Sequence, residues 1–286
     1  MHIYRTLVSS ELLVNQLTDP HWIVVDCRFS LSDVGAGRQS YLTAHIPRAH
    51  YAHLDDDLSG AITRASGRHP LPDPATLSHT FGGWGITPNS QVVVYDDAGG
   101  IIAARLWWLL RWLGHERVAV LDGGWQAWQR LGYPEQQVEP VSLPTRYPVA
   151  PESSAWLTSD QVNQQLASRS IVLIDARAPE RFKGVDEPID PVAGHVPGAL
   201  NHPFQLNLGG NGLLKKPEML RTEYQALIGE YKPDEVVHMC GSGVTACHNL
   251  LAMEHAGLLG SRLYAGSWSE WLRDPSRPLI NQEKTN

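Results

Sequence analysis

The residue whose type and position best suit chemistry is Cys240. It follows the short apolar segment Val236–Met239, which is typical of a buried β-strand, and it opens the sequence Cys-Gly-Ser-Gly-Val-Thr-Ala-Cys, which runs into an amphipathic helix. A thiol at such a turn faces backbone N–H groups and the positive end of a helix dipole, and both favour the thiolate over the thiol. We therefore expect Cys240 to be an activated nucleophile.

A cysteine in a glycine-containing turn between a strand and a helix suits three kinds of chemistry. Gly241, Gly243 and Ala246 match the phosphate fingerprint of dinucleotide-binding folds, but no acidic residue ends the next strand, where that fingerprint expects one. A cysteine phosphatase would need an arginine at position 246 to hold the phosphate, and alanine stands there. Sulfur transfer needs only small residues and N–H donors around an outer sulfur atom. The composition of the turn favours sulfur transfer over the other two.

Composition limits the remaining possibilities. A length of 286 residues suggests about two domains, and no apolar run approaches the roughly 20 residues that a membrane span needs. A net charge of −7 without a basic cluster argues against nucleic acids and anionic membranes as partners. Three cysteines favour a reducing cytoplasm over a disulfide framework, and the N-terminus lacks the apolar stretch of a secretory signal. No metal-ligand spacing or P-loop is present, so we expect neither metal nor cofactor.

The two halves of the chain repeat one pattern. Four blocks recur in the same order and at a nearly constant offset: residues 24–28 and 173–177, 44–49 and 194–199, 93–96 and 237–240, 121–124 and 264–267. Each half alternates short Val/Ile/Leu-rich strands with helical segments, including helices predicted at residues 101–113 and 244–256. This predicts an α/β fold of two tandem domains, each a mainly parallel sheet with helices on both faces.

The domain boundaries follow from this repeat and from proline content. We predict a first domain at residues 1–137, a proline-rich extended linker at 138–152, and a second domain at 153–286. Asp96 stands in the first copy where Cys240 stands in the second, so the first domain is expected to be non-catalytic. The paired Asp26 and Asp175 at strand ends are expected to fix loops.

Several motifs together resemble one family. They are the Cys240 loop, the Tyr-Ala-Gly-Ser-Trp-Ser-Glu-Trp segment at 264–271, His-Val-Pro-Gly-Ala at 195–199 and Leu-Asp-Gly-Gly at 121–124. This combination closely resembles the tandem-domain rhodanese family of sulfurtransferases over nearly the whole chain. The loop is most similar to the 3-mercaptopyruvate sulfurtransferase branch, because the thiosulfate branch commonly carries basic residues at positions 241 and 242.

The resemblance implies a role for particular residues. Cys240 would attack the sulfur donor and carry the sulfur as a persulfide, Ser242 would polarise the donor, and Arg181 would bind its anionic group. His69 and Asp55 would line the cleft from the first domain. The amides that would surround the persulfide belong to Gly241, Ser242, Gly243, Val244 and Thr245.

One departure from the family pattern leaves the donor open. The mercaptopyruvate branch usually shows Glu-Pro-Arg shortly after the position of Arg181, and this chain has Glu187-Pro188-Ile189. Losing one charge-assisted contact would cost about 1.5–3 kcal/mol of donor binding, so thiosulfate stays a candidate beside 3-mercaptopyruvate. The expected acceptors are cyanide and thiols, with thioredoxin or another thiol protein as a possible partner. The alternative is a persulfide carrier or sensor without turnover.

Overall fold

Two parallel five-stranded sheets organise residues 2–281, which is the part of the chain that this computed structural model describes. The described residues divide into two compact units. The first unit runs up to Gly60 and resumes at Leu71–Glu152, and the second contains Ala61–Pro70 and continues from Ser153. The predicted domain limits remain a prediction, but the assignment of Ala61–Pro70 to the second unit matters for the site described below.

Strands and helices alternate along the first unit, as the repeat predicts. Its elements are β1 (Leu7–Val8), α1 (Ser10–Val14), β2 (Trp22–Asp26), α2 (Ala36–Thr43), β3 (His50–Tyr51), α3 (Pro74–Gly83), β4 (Gln91–Tyr95), α4 (Ala103–Trp112), β5 (Val118–Leu121) and α5 (Gly124–Arg130). The predicted linker residues that follow form neither helix nor strand and are bonded to this unit, since the N–H of Thr145 donates to the carbonyl of Gly82 and that of Glu152 donates to the carbonyl of Trp112.

The second unit repeats this order and adds two short 3₁₀ turns, Phe204–Asn207 and Pro233–Glu235. Its elements are β6 (Trp156–Leu157), α6 (Ser159–Ala167), β7 (Val172–Asp175), α7 (Pro179–Lys183), β8 (Leu200–Asn201), α8 (Pro217–Ile228), β9 (Val236–Met239), α9 (Ala246–His255), β10 (Arg262–Tyr264) and α10 (Ser267–Trp271). The strand orders are β1-β5-β4-β2-β3 and β6-β10-β9-β7-β8, and all pairs are parallel. The predicted α/β fold with two tandem parallel sheets is confirmed.

Alternating side chains explain why helices cover both faces of the second sheet. In β7, Leu173 packs into a core with α6 and α10, whereas Val172 and Ile174 pack into a second core with α8 and α9. Strand β9 divides in the same way, with Val237 on one side and Val236 on the other. Strands that are buried on both faces read as continuous apolar runs, which is the pattern seen in the sequence.

The strand order fixes where a site can form. From β7 the chain passes outward to β8 and then returns to place β9 on the opposite side of β7. In open parallel sheets, such a reversal leaves a crevice outside the carboxyl ends of the two central strands, and ligands bind there. Cys240 follows β9 directly and Arg177 and Arg181 follow β7, so these residues lie at the reversal.

The two copies fix their strand ends with the same ion pair. The Asp26 carboxylate accepts two-pronged hydrogen bonds from the Arg28 guanidinium, and Asp175 and Arg177 repeat this geometry, with 2.6 and 2.7 Å between Nη2 and Oδ2. Each arginine also lies over a tryptophan ring, Trp125 in the first unit and Trp268 in the second. None of these carboxylates is solvent-exposed, so they act as loop anchors, as expected. No helix within residues 2–281 has the length and apolar character of a membrane span.

Candidate active site

The turn after β9 holds the Cys240 thiol against the backbone. The side chain is buried, with 3% of its surface exposed, and the N–H of Gly243 donates to its Sγ at 3.2 Å. Gly243 has φ of 79°, a conformation that favours glycine, and a Cβ there would lie 2.2 Å from the carbonyl oxygen of Ala265. The glycine therefore allows the turn to curl tightly around the sulfur.

The start of α10 fixes the backbone of the nucleophile. The N–H of Cys240 donates to Oγ of Ser267 at 3.1 Å, and that hydroxyl donates in turn to the carbonyl of Tyr264 at 2.9 Å. The carbonyl of Cys240 accepts from the N–H of Trp268 at 3.0 Å. Ser267 is buried and has φ of 54°, which is strained for a residue with a side chain. Its hydroxyl and the Trp268 N–H together hold both backbone groups of Cys240.

The equivalent turn of the first unit shows what this backbone shape binds. Gly99 has φ of 80°, matching Gly243, and the carboxylate of Asp96 stands at the position of Cys240. Four backbone N–H groups donate to that carboxylate at 2.8–2.9 Å, from Ala98, Gly100, Ile102 and Ala103. The turn is thus a cradle for a small anion, and in the first unit its own side chain fills it. Because the carboxylate takes the N–H groups of residues 102 and 103, α4 begins at Ala103 rather than at the predicted position 101.

Segment Ala61–Pro70 brings His69 to the Cys240 turn within the second unit. Nδ1 of His69 lies 2.7 Å from Oγ of Ser242, and both residues are buried. The neighbouring backbone is fixed on α10, because the N–H of Arg68 donates to Oγ of Ser269 at 3.1 Å. Two of the residues that the sequence analysis assigned to the donor are therefore in direct contact.

Arg181 lies beside Gly241, but carboxylates surround it. Its Nε donates to both oxygens of Glu187, at 2.9 and 3.1 Å, and its Nη2 lies 3.0 Å from Oδ2 of Asp190. Glu187 also accepts from the N–H groups of Ile189 and Asp190. Burial alone would raise the pKa of the Glu187 carboxyl, but the hydrogen bonds from Arg181 and the Asp190 N–H outweigh it, and that pKa is lowered. Glu187 is therefore an anionic anchor that orients Arg181.

A second arginine, Arg68, reaches the same place. Its Nη1 forms an ion pair with Oδ1 of Asp190, so one carboxylate joins Arg68 and Arg181. A Cβ built on Gly241 would lie 2.8 Å from Nη2 of Arg68 and 3.4 Å from Nη2 of Arg181. Burial raises the pKa of the Asp190 carboxyl, although Arg68 opposes this shift. Two guanidinium groups thus converge next to the residue that follows the thiol.

The structure brings together most of the predicted site residues. Ser242, Gly243, His69 and Arg181 lie at the Cys240 turn, and Val244 and Thr245 lead from it into α9, which begins at Ala246. Asp55 belongs to the first unit and is exposed, and its predicted role stays a prediction.

Sequence reasoning missed three residues at this turn, Arg68, Asp190 and Ser267. Ser267 stood inside the quoted segment 264–271 and Arg68 directly precedes His69, whereas nothing in the sequence pointed to Asp190. Within residues 2–281, no group of three His, Cys, Asp or Glu side chains is placed to hold a metal ion.

Comparisons with known proteins identify the family of this chain. The rhodanese-like domain family matches residues 9–131 and 158–274. The chain is 46% identical over 275 residues to a Pseudomonas aeruginosa protein named "Probable 3-mercaptopyruvate sulfurtransferase", covering 96% of this chain and 97% of that one. It is 32% identical to the thiosulfate sulfurtransferase of Bos taurus, with 99% and 97% coverage.

Solved structures lead to the same family. The 3-mercaptopyruvate sulfurtransferase from Leishmania major superposes with a TM-score of 0.82 at 31% identity, covering 93% of this chain and 74% of that one. The family model covers most of the chain, and both relatives align over nearly its whole length. The chain therefore belongs to the rhodanese family and is a sulfurtransferase built from two tandem rhodanese-like domains.

Proposed function

We propose that Cys240 takes one sulfur atom from a small anionic donor, holds it as a persulfide and passes it to a thiophilic acceptor. The observation that supports this most directly is the arrangement around the thiol: a curled N–H cradle at Sγ and two guanidinium groups beside Gly241. The self-filled cradle around Asp96 supports it independently, because the same turn binds a negative group there.

The donor half-reaction follows from these contacts. The Cys240 thiolate attacks the donor sulfur, forming an S–S bond. With 3-mercaptopyruvate the C–S bond breaks, its electron pair stays on carbon as an enolate, and a proton then gives pyruvate. With thiosulfate the S–S bond breaks and the pair leaves on sulfite. Ser242, hydrogen-bonded to His69, is placed to polarise the donor, and Arg181 binds its anionic group.

The acceptor half-reaction restores the enzyme. Cyanide or a thiolate attacks the outer sulfur, the S–S bond breaks, and the pair returns to Cys240 as thiolate. Thiocyanate or a new persulfide is the product, and a thiol protein such as thioredoxin is a proposed acceptor. Cys27, Cys240 and Cys247 are all buried and none of them forms a disulfide, which suits the reducing cytoplasm that we propose as the location.

The test combines intact mass with turnover. Wild-type protein treated with 3-mercaptopyruvate or thiosulfate should gain the mass of one sulfur atom, and cyanide should remove it with release of thiocyanate. Cys240→Ser should show no adduct and no turnover. Cys247→Ser is the matched control, since it removes another buried thiol, on α9, and should still load and turn over.

Two results would count against parts of the proposal, and a third measurement identifies the donor. Turnover by Cys240→Ser would exclude Cys240 as the sulfur carrier. Loading of the wild type without multiple turnovers would favour the persulfide carrier or sensor over an enzyme acting on small donors. Comparison of kcat/KM for the two donors, under the same conditions, identifies the preferred one.

A further inference from the structure

We propose that Asn207 is a positioning residue for sulfur transfer, which fixes the first turn of α9 and with it the backbone N–H groups around Cys240. The inference rests on the function proposed above, because it concerns the loading of that same cysteine. Asn207 acts through other residues: its side chain contacts α9, and the turn that leads into α9 carries the nucleophile.

The amide of Asn207 is fully shielded from solvent, and both of its polar atoms have two partners. Its Oδ1 lies 2.9 Å from the hydroxyl of Tyr224 and 3.1 Å from Nε2 of His202. Its Nδ2 lies 2.8 Å from Oδ1 of Asn249 and 3.1 Å from Nδ1 of His248. A buried amide is tolerated only when its hydrogen bonds are made, so this complete set of partners holds the side chain in one orientation.

A backbone carbonyl decides which way these polar groups point. The carbonyl of His202 can only accept, and Nδ2 of Asn249 donates to it at 3.0 Å. Oδ1 of Asn249 therefore faces Asn207, which must present its NH₂ group there. The second N–H of that group donates to Nδ1 of His248, and Oδ1 of Asn207 accepts from Nε2 of His202. Burial lowers the pKa of His202, although its hydrogen bond to Asn207 opposes this shift. Both imidazoles are thus neutral with their proton on Nε2.

The NH₂ group of this amide holds α9 where the helix begins. His248 and Asn249 are the third and fourth residues of α9, and Cys247 precedes them. The thiol of Cys247 donates to the carbonyl of Gly243 at 3.4 Å, and the N–H of Gly243 donates to Sγ of Cys240. A shift of α9 would therefore displace an N–H group that faces the nucleophile.

The segment that carries Asn207 is also tied to the opposite wall of the crevice. The N–H of His202 donates to the carbonyl of Asp175 at 2.9 Å, and that of Phe204 donates to the carbonyl of Ala176 at 3.3 Å. Asp175 is the last residue of β7, the strand that neighbours β9. Asn207 thus sets the start of α9 against the end of β7, between which the site lies.

The test uses the two sides of the one amide. Asn207→Asp keeps the shape and the Oδ1 acceptor, but it places an oxygen against Oδ1 of Asn249 and Nδ1 of His248, which are both acceptors. Asn249→Ala removes only one of the two contacts with α9. Tyr224→Phe is the matched control, since it removes a partner of Oδ1 and leaves both contacts with α9 in place.

Sulfur loading at saturating 3-mercaptopyruvate or thiosulfate is timed by intact mass and counted per chain that loads, so that misfolded protein does not contribute. We expect Asn207→Asp to load about tenfold to a hundredfold more slowly with little change in donor KM, because N–H groups at the reacting sulfur are displaced and Arg181 is not. Asn249→Ala should be slowed less. Tyr224→Phe should load at nearly the wild-type rate even where its urea midpoint is lower.

Nitrogen-15 NMR of the histidine side chains tests the orientation in the wild type. The rings of His202 and His248, assigned with His202→Gln and His248→Gln, should both be neutral at pH 7 with the proton on Nε2. A proton on Nδ1 of His248 would overturn the inference, as would wild-type loading by Asn207→Asp and Asn249→Ala, or loading by Tyr224→Phe as slow as that of Asn207→Asp. Failure of the wild type itself to load would overturn the proposed function and this inference with it.

Discussion

Replacing Asp96 with asparagine tests whether the turn that carries the nucleophile is an anion cradle. Asp96 is 1% exposed, and its two carboxylate oxygens accept four backbone N–H groups at 2.8–2.9 Å. Asparagine has nearly the same shape, but it offers one acceptor oxygen and turns an NH₂ group towards the other two N–H donors. The substitution therefore changes charge and hydrogen bonding and leaves volume almost constant.

The magnitude follows from the two N–H groups that lose their acceptor. Each buried donor without a partner costs about 1–3 kcal/mol, so Asp96→Asn should lower the free energy of unfolding by about 2–6 kcal/mol. Domains of this size have total stabilities of about 5–15 kcal/mol. With a denaturant dependence of about 2 kcal/mol per molar urea, the unfolding midpoint of the first unit should fall by about 1 M or more.

Urea denaturation followed by tryptophan fluorescence measures this loss, since Trp22, Trp125 and Trp128 lie in the core of the first unit. Hydrogen exchange of peptides covering residues 91–112 locates it. Asp97→Asn is the control: this neighbouring side chain is exposed, and its substitution should change the stability by less than about 0.5 kcal/mol. Equal unfolding midpoints for Asp96→Asn and the wild type would refute the cradle and remove the independent support for an anionic persulfide at Cys240.

Two further predictions concern the second unit. His238 is buried, and burial lowers its pKa to about 3 from an ordinary value of 6.5, so the unfolded chain binds one more proton than the folded protein between these values. The free energy of unfolding should therefore fall by up to about 1.4 kcal/mol per pH unit as the pH drops below 6.5. Urea denaturation at pH 7, 6 and 5 should show a smaller loss of this free energy in His238→Gln than in the wild type. Equal losses in the two proteins would contradict the prediction. Ser267→Gly and Ser267→Ala both remove the hydroxyl that accepts the N–H of Cys240, but only glycine relieves the strain at φ of 54°. The free energy of unfolding of Ser267→Ala should thus be about 1 kcal/mol lower than that of Ser267→Gly, as measured by urea denaturation. An alanine variant as stable as the glycine variant would show that the backbone at position 267 is unstrained.

Much of the fold could be predicted because local signals agreed with the global repeat. Strand Val236–Met239 was predicted with the bounds that the structure gives, since an apolar run ended at a glycine-containing turn. Helix ends were less well predicted: α9 begins at Ala246 and ends at His255, against predicted limits of 244 and 256. Ile102 and Thr245, directly before α4 and α9, already have helical backbone angles, so the difference lies in the hydrogen bonds of the turn, about which periodicity carries no information.

The site could be predicted only where a motif and a function coincide. Cys240, Ser242 and Arg181 stood in recognisable sequences, and the structure places all three at one turn. Arg68 and Asp190 escaped because their role depends on a contact between residues far apart in sequence. Glu187, whose neighbour Ile189 raised the question of the donor, proves to hold Arg181 in place through both of its oxygens. The spacing of residues along the sequence predicts neither the Arg68–Asp190 contact nor the Arg181–Glu187 contact.

The duplication itself separates framework from chemistry. Both units have an Asp-Arg ion pair at the end of their second strand, and in both the arginine lies over a tryptophan ring. Because these contacts are the same in the two copies, they serve the fold. The two copies differ at three positions around the nucleophile. Cys240 replaces the Asp96 of the first copy and leaves the cradle open for an anion. Gly241 replaces Asp97 and leaves room for two arginine side chains. Ser267 replaces Gly124, and its hydroxyl holds the backbone of the nucleophile. A binding turn that is closed by its own carboxylate in one unit is thereby open to a sulfur atom in the other.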